Sequence, residues 1–142
     1  MTIRTATAEW QGTIHEGHGR MRTGSGAFDG AYSFNSRFGD GGGANPEELL
    51  GAAHAGCFSM ALAVELTKAG FKPVDIRTTA SVHFDPVNGV PTVTLIALTT
   101  GADVPGIDDA KFQAIAAGAK ANCPVSRALA AVKITLDATL KG

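Results

Sequence analysis

The sequence predicts an α+β fold in which antiparallel sheets pack against one long central helix. Three features predict it. The elements read in the order βββ-α-ββ-α-α-β, with no repeated βαβ unit. Breaks between neighbouring strand segments are short, which suits hairpins rather than crossovers. The stretch Asn45 to Gly70, NPEELLGAAHAGCFSMALAVELTKAG, is apolar on nearly all sides, as expected of a buried helix.

At 142 residues the chain is expected to form one domain, residues 1–142, with a sizeable core. A formal net charge of -1 indicates neither a nucleic-acid footprint nor a strongly charged partner surface. The opening MTIRTATAEW lacks the basic and long apolar runs of a signal peptide. The richest apolar stretch, Gly51 to Val64, contains His54, so no membrane span is expected. A reducing cytoplasm is the default compartment. Two cysteines there point to buried thiols or redox chemistry rather than a structural staple.

Taken in order, residues 2–10 alternate imperfectly through Ile3, Ala6, Ala8 and Trp10 and read as a first strand. Gln11-Gly12 marks a turn. Residues 13–23 are polar, with Ile14 and Met21 as apolar points, and read as an exposed strand. After Gly24-Ser25-Gly26, residues Ala31 to Phe38 place Tyr32, Phe34, Ser36 and Phe38 on one face of a third strand. Gly39 to Gly43 form a loop with no phosphate-loop lysine after it, so backbone freedom is its expected use.

The central helix opens with Asn45 as N-cap, Pro46 at the first helical position and Glu48 placed to close a capping box. Gly70 supplies its left-handed stop, and Lys68 complements its last carbonyls. Residues 74–85 alternate Ile76, Thr78, Ala80, Val82 and Phe84. Residues 92–100 return after a turn over Pro86 to Pro91, giving a second hairpin. Asp108 caps a helix over 109–120. Cys123-Pro124 starts a short helix to Ala131, and 132–140 is the last strand.

Cys57 sits in the middle of the central helix. It is either a small buried hydrophobe or a nucleophile, and a nucleophile needs a nearby positive charge. Helix-dipole help is small, because Cys57 lies well past the first turn. Cys123 lies at a helix start, where backbone N–H groups favour a thiolate and where the chain is expected to be near the surface and able to move. A fixed buried thiol and a second, movable one suit sulfenic-acid chemistry with a condensing partner. Their separation of 66 residues (123 minus 57) excludes a CxxC motif.

Glu48 is occupied by the cap, which leaves Glu47 as the functional candidate. Glu47 and Cys57 are ten residues apart, about 15 Å along a straight helix, and cannot touch within one unbroken rod. Either the helix breaks near Gly51, or a Glu47 acting on Cys57 comes from a second chain, whose approach the small residues Gly51, Ala52, Ala53, Ala55 and Gly56 would permit. Arg37 precedes the Gly-rich loop that leads to Glu47, and its planar fork suits a carboxylate. His54 shares a helix face with Cys57 and reads as a buried or interfacial hydrogen-bonding histidine, with a Cys-His hydrolase as the other option. His15 and His18 read as solvated. Cys57, His54 and Cys123 as zinc ligands would lack a fourth partner at a recognisable spacing.

Two stretches carry a resemblance: RFGDGGGANPEELLGAAHAGCFSMAL at Arg37 to Leu62, and NCPVSRAL at Asn122 to Leu129. Across essentially its whole length the chain resembles the OsmC/Ohr group of thiol peroxidases. AAHAGCFSMAL and an arginine twenty residues before the cysteine look like the OsmC branch. The resemblance implies Cys57 as peroxidatic nucleophile, Cys123 as resolving thiol, and Arg37 with Glu47 as the polar pair activating Cys57. It implies an intertwined homodimer, its sheets wrapped around two central helices and its two sites at the interface. It implies no cofactor, an external dithiol reductant of lipoyl type, and a role in oxidative and osmotic stress defence. Phe38, Phe58 and Met60 would suit organic hydroperoxides better than hydrogen peroxide. Two other readings stay open beside it, a non-enzymatic ligand-binding dimer with inert cysteines and the hydrolase.

Overall fold

The computed structural model describes residues 1–141. Their contacts cluster into two compact units, Met1–Leu49 and a second beginning at Leu50.

The first unit carries an antiparallel sheet of β1 (Ala6–Gln11), β2 (His18–Thr23) and β3 (Asp29–Tyr32), in that spatial order. β1 starts at Ala6 rather than at residue 2, and β2 starts at His18 rather than at residue 13 because the chain turns between Ile14 and Glu16. Trp10, Gly19 and Tyr32 lie in one cross-strand row, and the two rings approach to 5.4 Å over the glycine. A Cβ at Gly19 would come within 2.5 Å of the Tyr32 ring, so the row needs glycine at its centre. Of the residues in these three strands, only Gly19 is buried.

The expected strand over Ala31 to Phe38 is corrected. β3 ends at Tyr32, and α1 (Phe34–Phe38) follows as a short helix. Ser33 Oγ accepts the Ser36 N–H at 3.1 Å, and Ser36 Oγ accepts the Ser33 N–H at 2.8 Å. This reciprocal serine capping box satisfies helix-start groups locally and overrides the alternating pattern. The Ser36 hydroxyl then donates to Ala44 C=O at 2.7 Å, and Asn45 Nδ2 donates to Ser36 C=O at 3.2 Å. Those bonds fold the Gly-rich loop back on α1.

α2 (Pro46–Lys68) begins as expected, with Asn45 Oδ1 accepting the Glu48 N–H at 2.8 Å. The Glu48 carboxylate meets Asn45 Nδ2, at 3.4 Å, rather than the cap backbone. At the other end Phe71 N–H reaches Leu66 C=O and Gly70 N–H reaches Thr67 C=O, both at 3.0 Å. This is a Schellman stop, and Gly70 takes its left-handed position at φ 92°.

In the second unit β4 (Asp75–Val87) and β5 (Val90–Asp103) form the expected hairpin. Its turn tightens to Asn88-Gly89, both at positive φ, with Pro86 and Pro91 facing each other in the ladder. α3 (Asp109–Asn122) and α4 (Pro124–Ala128) lead to β6 (Lys133–Leu140). The expectation of antiparallel pairing throughout fails here, because β6 lies parallel to β5. A return through two helices is a crossover, and a crossover delivers the next strand in the same direction.

Phe58, Leu62 and Leu66 of α2 meet Ile96, Leu98 and Ala102 of β5 and Phe112, Ala116 and Ala119 of α3 in one core. Each fully buried Phe or Leu there contributes about 1.5–3 kcal/mol. Gly51 brings the α2 backbone close to β4, since a Cβ there would lie 3.3 Å from Val82 Cγ2. A polar thread docks the same face. Ser59 Oγ donates to Thr78 Oγ1 at 2.7 Å, Thr78 and Thr100 hydroxyls meet at 2.9 Å, and Thr100 Oγ1 donates to Arg77 C=O at 3.1 Å.

Burial of α2 on all sides is not met within one chain. Gly51, His54, Phe58, Leu62 and Leu66 form a covered stripe, whereas Met60 is 72% and Val64 47% exposed on the other side. By length and composition α2 also passes for a membrane-crossing helix; its packed stripe is that of a core element.

Candidate active site

Arg37 and Glu47 come together inside the first unit. The capping box turns Arg37 into the last turn of α1, where a cation complements the exposed carbonyls. Asn45 sets the start of α2, with Glu47 in its first turn, where a carboxylate faces the helix dipole favourably. The Arg37 Nη2 and Nε lie 2.8 and 2.9 Å from Glu47 Oε1, and Nε lies 3.3 Å from Oε2. Glu47 is only 7% exposed, so its carboxylate is compensated by this guanidinium. The guanidinium also stands 5.3 Å over the Phe38 ring.

α2 is continuous through Gly51, so the expected alternative of a break there does not occur. Ten residues of unbroken helix separate Glu47 from Cys57, about 15 Å of axial rise.

The second unit brings Cys57 and Cys123 together. Both are free thiols, and their sulfurs stand within hydrogen-bonding reach. Their burial is the reverse of the expectation. Cys57 is half-buried, while Cys123 is fully buried in the core. The reason is that Cys123 closes α3 and opens α4 at once. Its N–H bonds Ala119 C=O at 2.9 Å and its C=O accepts from Arg127 N–H at 3.0 Å, which pins the junction instead of leaving it frayed.

The proton distribution follows. Burial pushes the Cys57 thiol up, the hydrogen bond with Cys123 raises it further, and the Val125 N–H only partly opposes this. Burial also works against ionising Cys123. The Ser126 N–H, the Cys57 thiol, the Ser126 hydroxyl and the Val125 N–H outweigh it and hold Cys123 below the ordinary thiol value. None of these groups closes the capping hydrogen bond that an oxygen at this position would make. Of the two thiols Cys123 is therefore the one that loses its proton more readily, with the Cys57 S–H as a donor to its sulfur.

His54 is fully buried, as the sequence suggests for a hydrogen-bonding core histidine. Its Nε2 stands 2.7 Å from Ser126 Oγ, and its Nδ1 has no hydrogen-bond partner. Burial holds its pKa below the ordinary value. A ring committed to Ser126 is not arranged as the base of a Cys-His hydrolase. Ser126 escaped the sequence reading. Its signal was its place three residues after Cys123, at the third position of α4. Among the described residues, no three His, Cys, Asp or Glu side chains gather to hold a metal ion.

A family model described as OsmC-like protein matches residues 39–137. The chain is 50% identical to peroxiredoxin OsmC of Escherichia coli strain K12, over 99% of both chains. Two solved structures share the fold. One is an organic hydroperoxide resistance protein from Elizabethkingia anophelis, with a TM-score of 0.74 at 24% identity and 99% of each chain covered. The other is the organic hydroperoxide resistance protein OhrB of Bacillus subtilis, with a TM-score of 0.69 at 24% identity, covering 96% of this chain and 98% of that one. With a family model matched over more than half its length and a full-length relative at this identity, the chain belongs to the OsmC-like protein family.

Proposed function

We propose that the chain is a cysteine-based peroxidase that reduces organic hydroperoxides, with Cys57 as the nucleophile and Cys123 as the resolving thiol. The observation that carries this reading is the pair of free thiols within hydrogen-bonding reach, in a chain half identical to a peroxiredoxin over its full length. Cys57, the more exposed sulfur, is the one an entering peroxide meets. Passing its proton to Cys123 makes it a thiolate. That thiolate attacks the distal oxygen of ROOH, the O–O bond breaks, and the alkoxide takes up the proton now held on Cys123 and leaves as alcohol, which returns Cys123 to a thiolate. Cys57 is then a sulfenic acid. Cys123 attacks it, the S–S bond forms, and hydroxide leaves as water. An external dithiol, of lipoyl type, reopens the disulfide by exchange.

Arg37, held by Glu47, supplies positive charge to the Cys57 thiolate and to the departing oxygen. Because Glu47 and Cys57 sit ten residues apart on a continuous helix, the pair serving each Cys57 comes from a partner chain. The functional unit is a homodimer of one-domain chains, their sheets wrapped around two central helices. Supporting it are the exposed apolar side of α2 and a β1–β3 sheet with almost no buried residue, since a sheet needs an apolar face covered to be stable. The protein works in the cytoplasm, where thiols are kept reduced, with no prosthetic group and no membrane or nucleic-acid partner.

The test is to mix reduced protein with cumene or tert-butyl hydroperoxide, count thiols and measure mass. Two thiols per chain should disappear quickly into a Cys57–Cys123 disulfide. Cys57→Ser should abolish turnover, and Cys123→Ser should leave a trapped sulfenic acid. Slow and equal loss of both thiols would falsify the assignment.

A further inference from the structure

His54 is a fully buried titratable group that the reaction above does not use. Its environment restricts where its proton sits. Burial keeps the ring neutral, so one nitrogen carries hydrogen and the other a lone pair. Were the hydrogen on Nδ1, a buried N–H would stand without an acceptor, because Nδ1 has no partner. An orphaned buried N–H is rarer in folded proteins than an unused lone pair. The hydrogen therefore belongs on Nε2, which donates to Ser126 Oγ across 2.7 Å. An oxygen accepting from the ring keeps its own hydrogen free for another acceptor. Cys123 at the N-cap and Ser126 at the third helical position have the spacing of a capping box, which gathers both side chains at the helix start, and the Ser126 hydroxyl is among the groups that hold Cys123 below the ordinary thiol value. Ser126 is the third residue of α4 and Cys123 its N-cap, so one short helix fixes their spacing. His54 reaches them from α2, one turn before Cys57.

We propose that His54 and Ser126 are positioning residues for Cys123: the imidazole N–H turns the Ser126 hydroxyl hydrogen onto the Cys123 sulfur and readies that sulfur to close the disulfide on an oxidised Cys57. The inference rests on reading Cys57 and Cys123 as the reacting pair. In the step concerned the Cys123 thiolate attacks the Cys57 sulfenic sulfur. The S–S bond forms, the S–O bond breaks, and the oxygen leaves as hydroxide into solvent, where a buffer acid protonates it to water. The Cys57 sulfur is reduced and the Cys123 sulfur oxidised by one unit each. The ring and the hydroxyl change neither charge nor oxidation state. Their contribution is a fixed hydrogen bond to the attacking sulfur, present before peroxide arrives.

The experiment compares Ser126→Ala, Ser126→Thr and His54→Phe with the parent chain. Ser126→Ala removes the hydroxyl and keeps the backbone N–H. Ser126→Thr keeps the hydroxyl, and His54→Phe keeps an aromatic ring without the donor. Rapid-quench mass spectrometry with a sulfenic-acid trap measures disulfide closure relative to oxidation of Cys57. Ultraviolet thiolate absorbance against pH, in a Cys57→Ser background, reads Cys123 without any peroxide. Ser126→Ala and His54→Phe should slow closure about tenfold relative to the first oxidation, as thiolate content and orientation both fall. Both should raise the midpoint of Cys123, and Ser126→Thr should behave as the parent. Unchanged closure and an unchanged midpoint in either folded variant overturn the inference. So does equal slowing by Thr and Ala, which would mean packing alone. If the parent chain itself fails to react with peroxide, the functional reading falls, and the Cys123 midpoint still decides whether Ser126 and His54 act on that sulfur.

Discussion

Cys57 and Cys123, on α2 and at the α3–α4 junction, are driven apart in acidity: burial and the neighbouring sulfur push the half-exposed Cys57 thiol up, while hydrogen bonds from Ser126, Cys57 and Val125 hold the buried Cys123 below the ordinary thiol value. A titration of the reduced protein by ultraviolet thiolate absorbance should therefore show one step below the ordinary thiol range and another above it. Cys123→Ser should remove the lower step. Cys57→Ala should move that step upward, because the S–H donor to Cys123 is gone. A lower step that survives Cys123→Ser would place the thiolate on Cys57 instead.

The Arg37–Glu47 contact has a stability consequence separate from chemistry. Glu47 is nearly buried and Arg37 partly exposed, so removing the arginine strands a carboxylate with little water to compensate it. Arg37→Ala should cost about 1–3 kcal/mol in urea unfolding, the usual loss for a buried charged group deprived of its partner. Glu47→Gln keeps the acceptor oxygen and sheds the charge, so it should cost less. Equal and negligible effects would show that the pair is solvated.

Hybrid dimers test which chain's pair serves which thiol. Arg37→Ala and Cys57→Ser are each expected to be inactive alone. Refolded together, their hybrid would join an intact Cys57 on one chain to an intact Arg37 on the other. Activity in the mixture is expected. With hybrid formation verified by native mass, a dead mixture would assign each Arg37–Glu47 pair to the Cys57 of its own chain.

Much of the fold was legible because several signals agreed. Asn45, Pro46 and Gly70 bracket α2 by cap chemistry, and the alternation from Ile76 to Phe84 marks β4. Legibility failed where a local rule competed with a pattern. Tyr32, Phe34, Ser36 and Phe38 alternate like a strand, yet the Ser33–Ser36 capping box wins and makes a helix. The direction of β6 and the burial of Cys123 depend on where the α3–α4 excursion returns the chain, which periodicity does not encode. Near the start of α2, the Arg37–Glu47 ion pair could be read from residue type and loop placement. The Ser126 contact could not, because it joins residues 72 apart.

His54 gives a pH dependence with a definite sign. Its folded pKa is depressed by burial, so at low pH the unfolded chain binds a proton that the folded chain refuses. The stability present above the unfolded value, about 6.5, should fall as pH drops through that value toward the lowered folded one. Urea midpoints measured across this window should decline in the parent chain, and His54→Phe should flatten the decline. A parent curve rising toward acid would mean that the ring gains a proton on folding.

The exposed side of α2 sets a last expectation. In an isolated chain Met60 meets water, and replacing a solvent-facing side chain usually changes stability by no more than about 0.5 kcal/mol. Across a helix seam between two copies the same substitution would bury a carboxylate without a partner, at a cost of several kcal/mol. Met60→Glu should therefore leave a chain that sediments as a monomer, melts earlier and has lost peroxide turnover, because each Cys57 would be without the partner's Arg37 and Glu47. Met60→Leu, which preserves the apolar contact, should remain dimeric and active. If Met60→Glu sediments and turns over as the parent does, the face is a solvated surface and not a seam between copies.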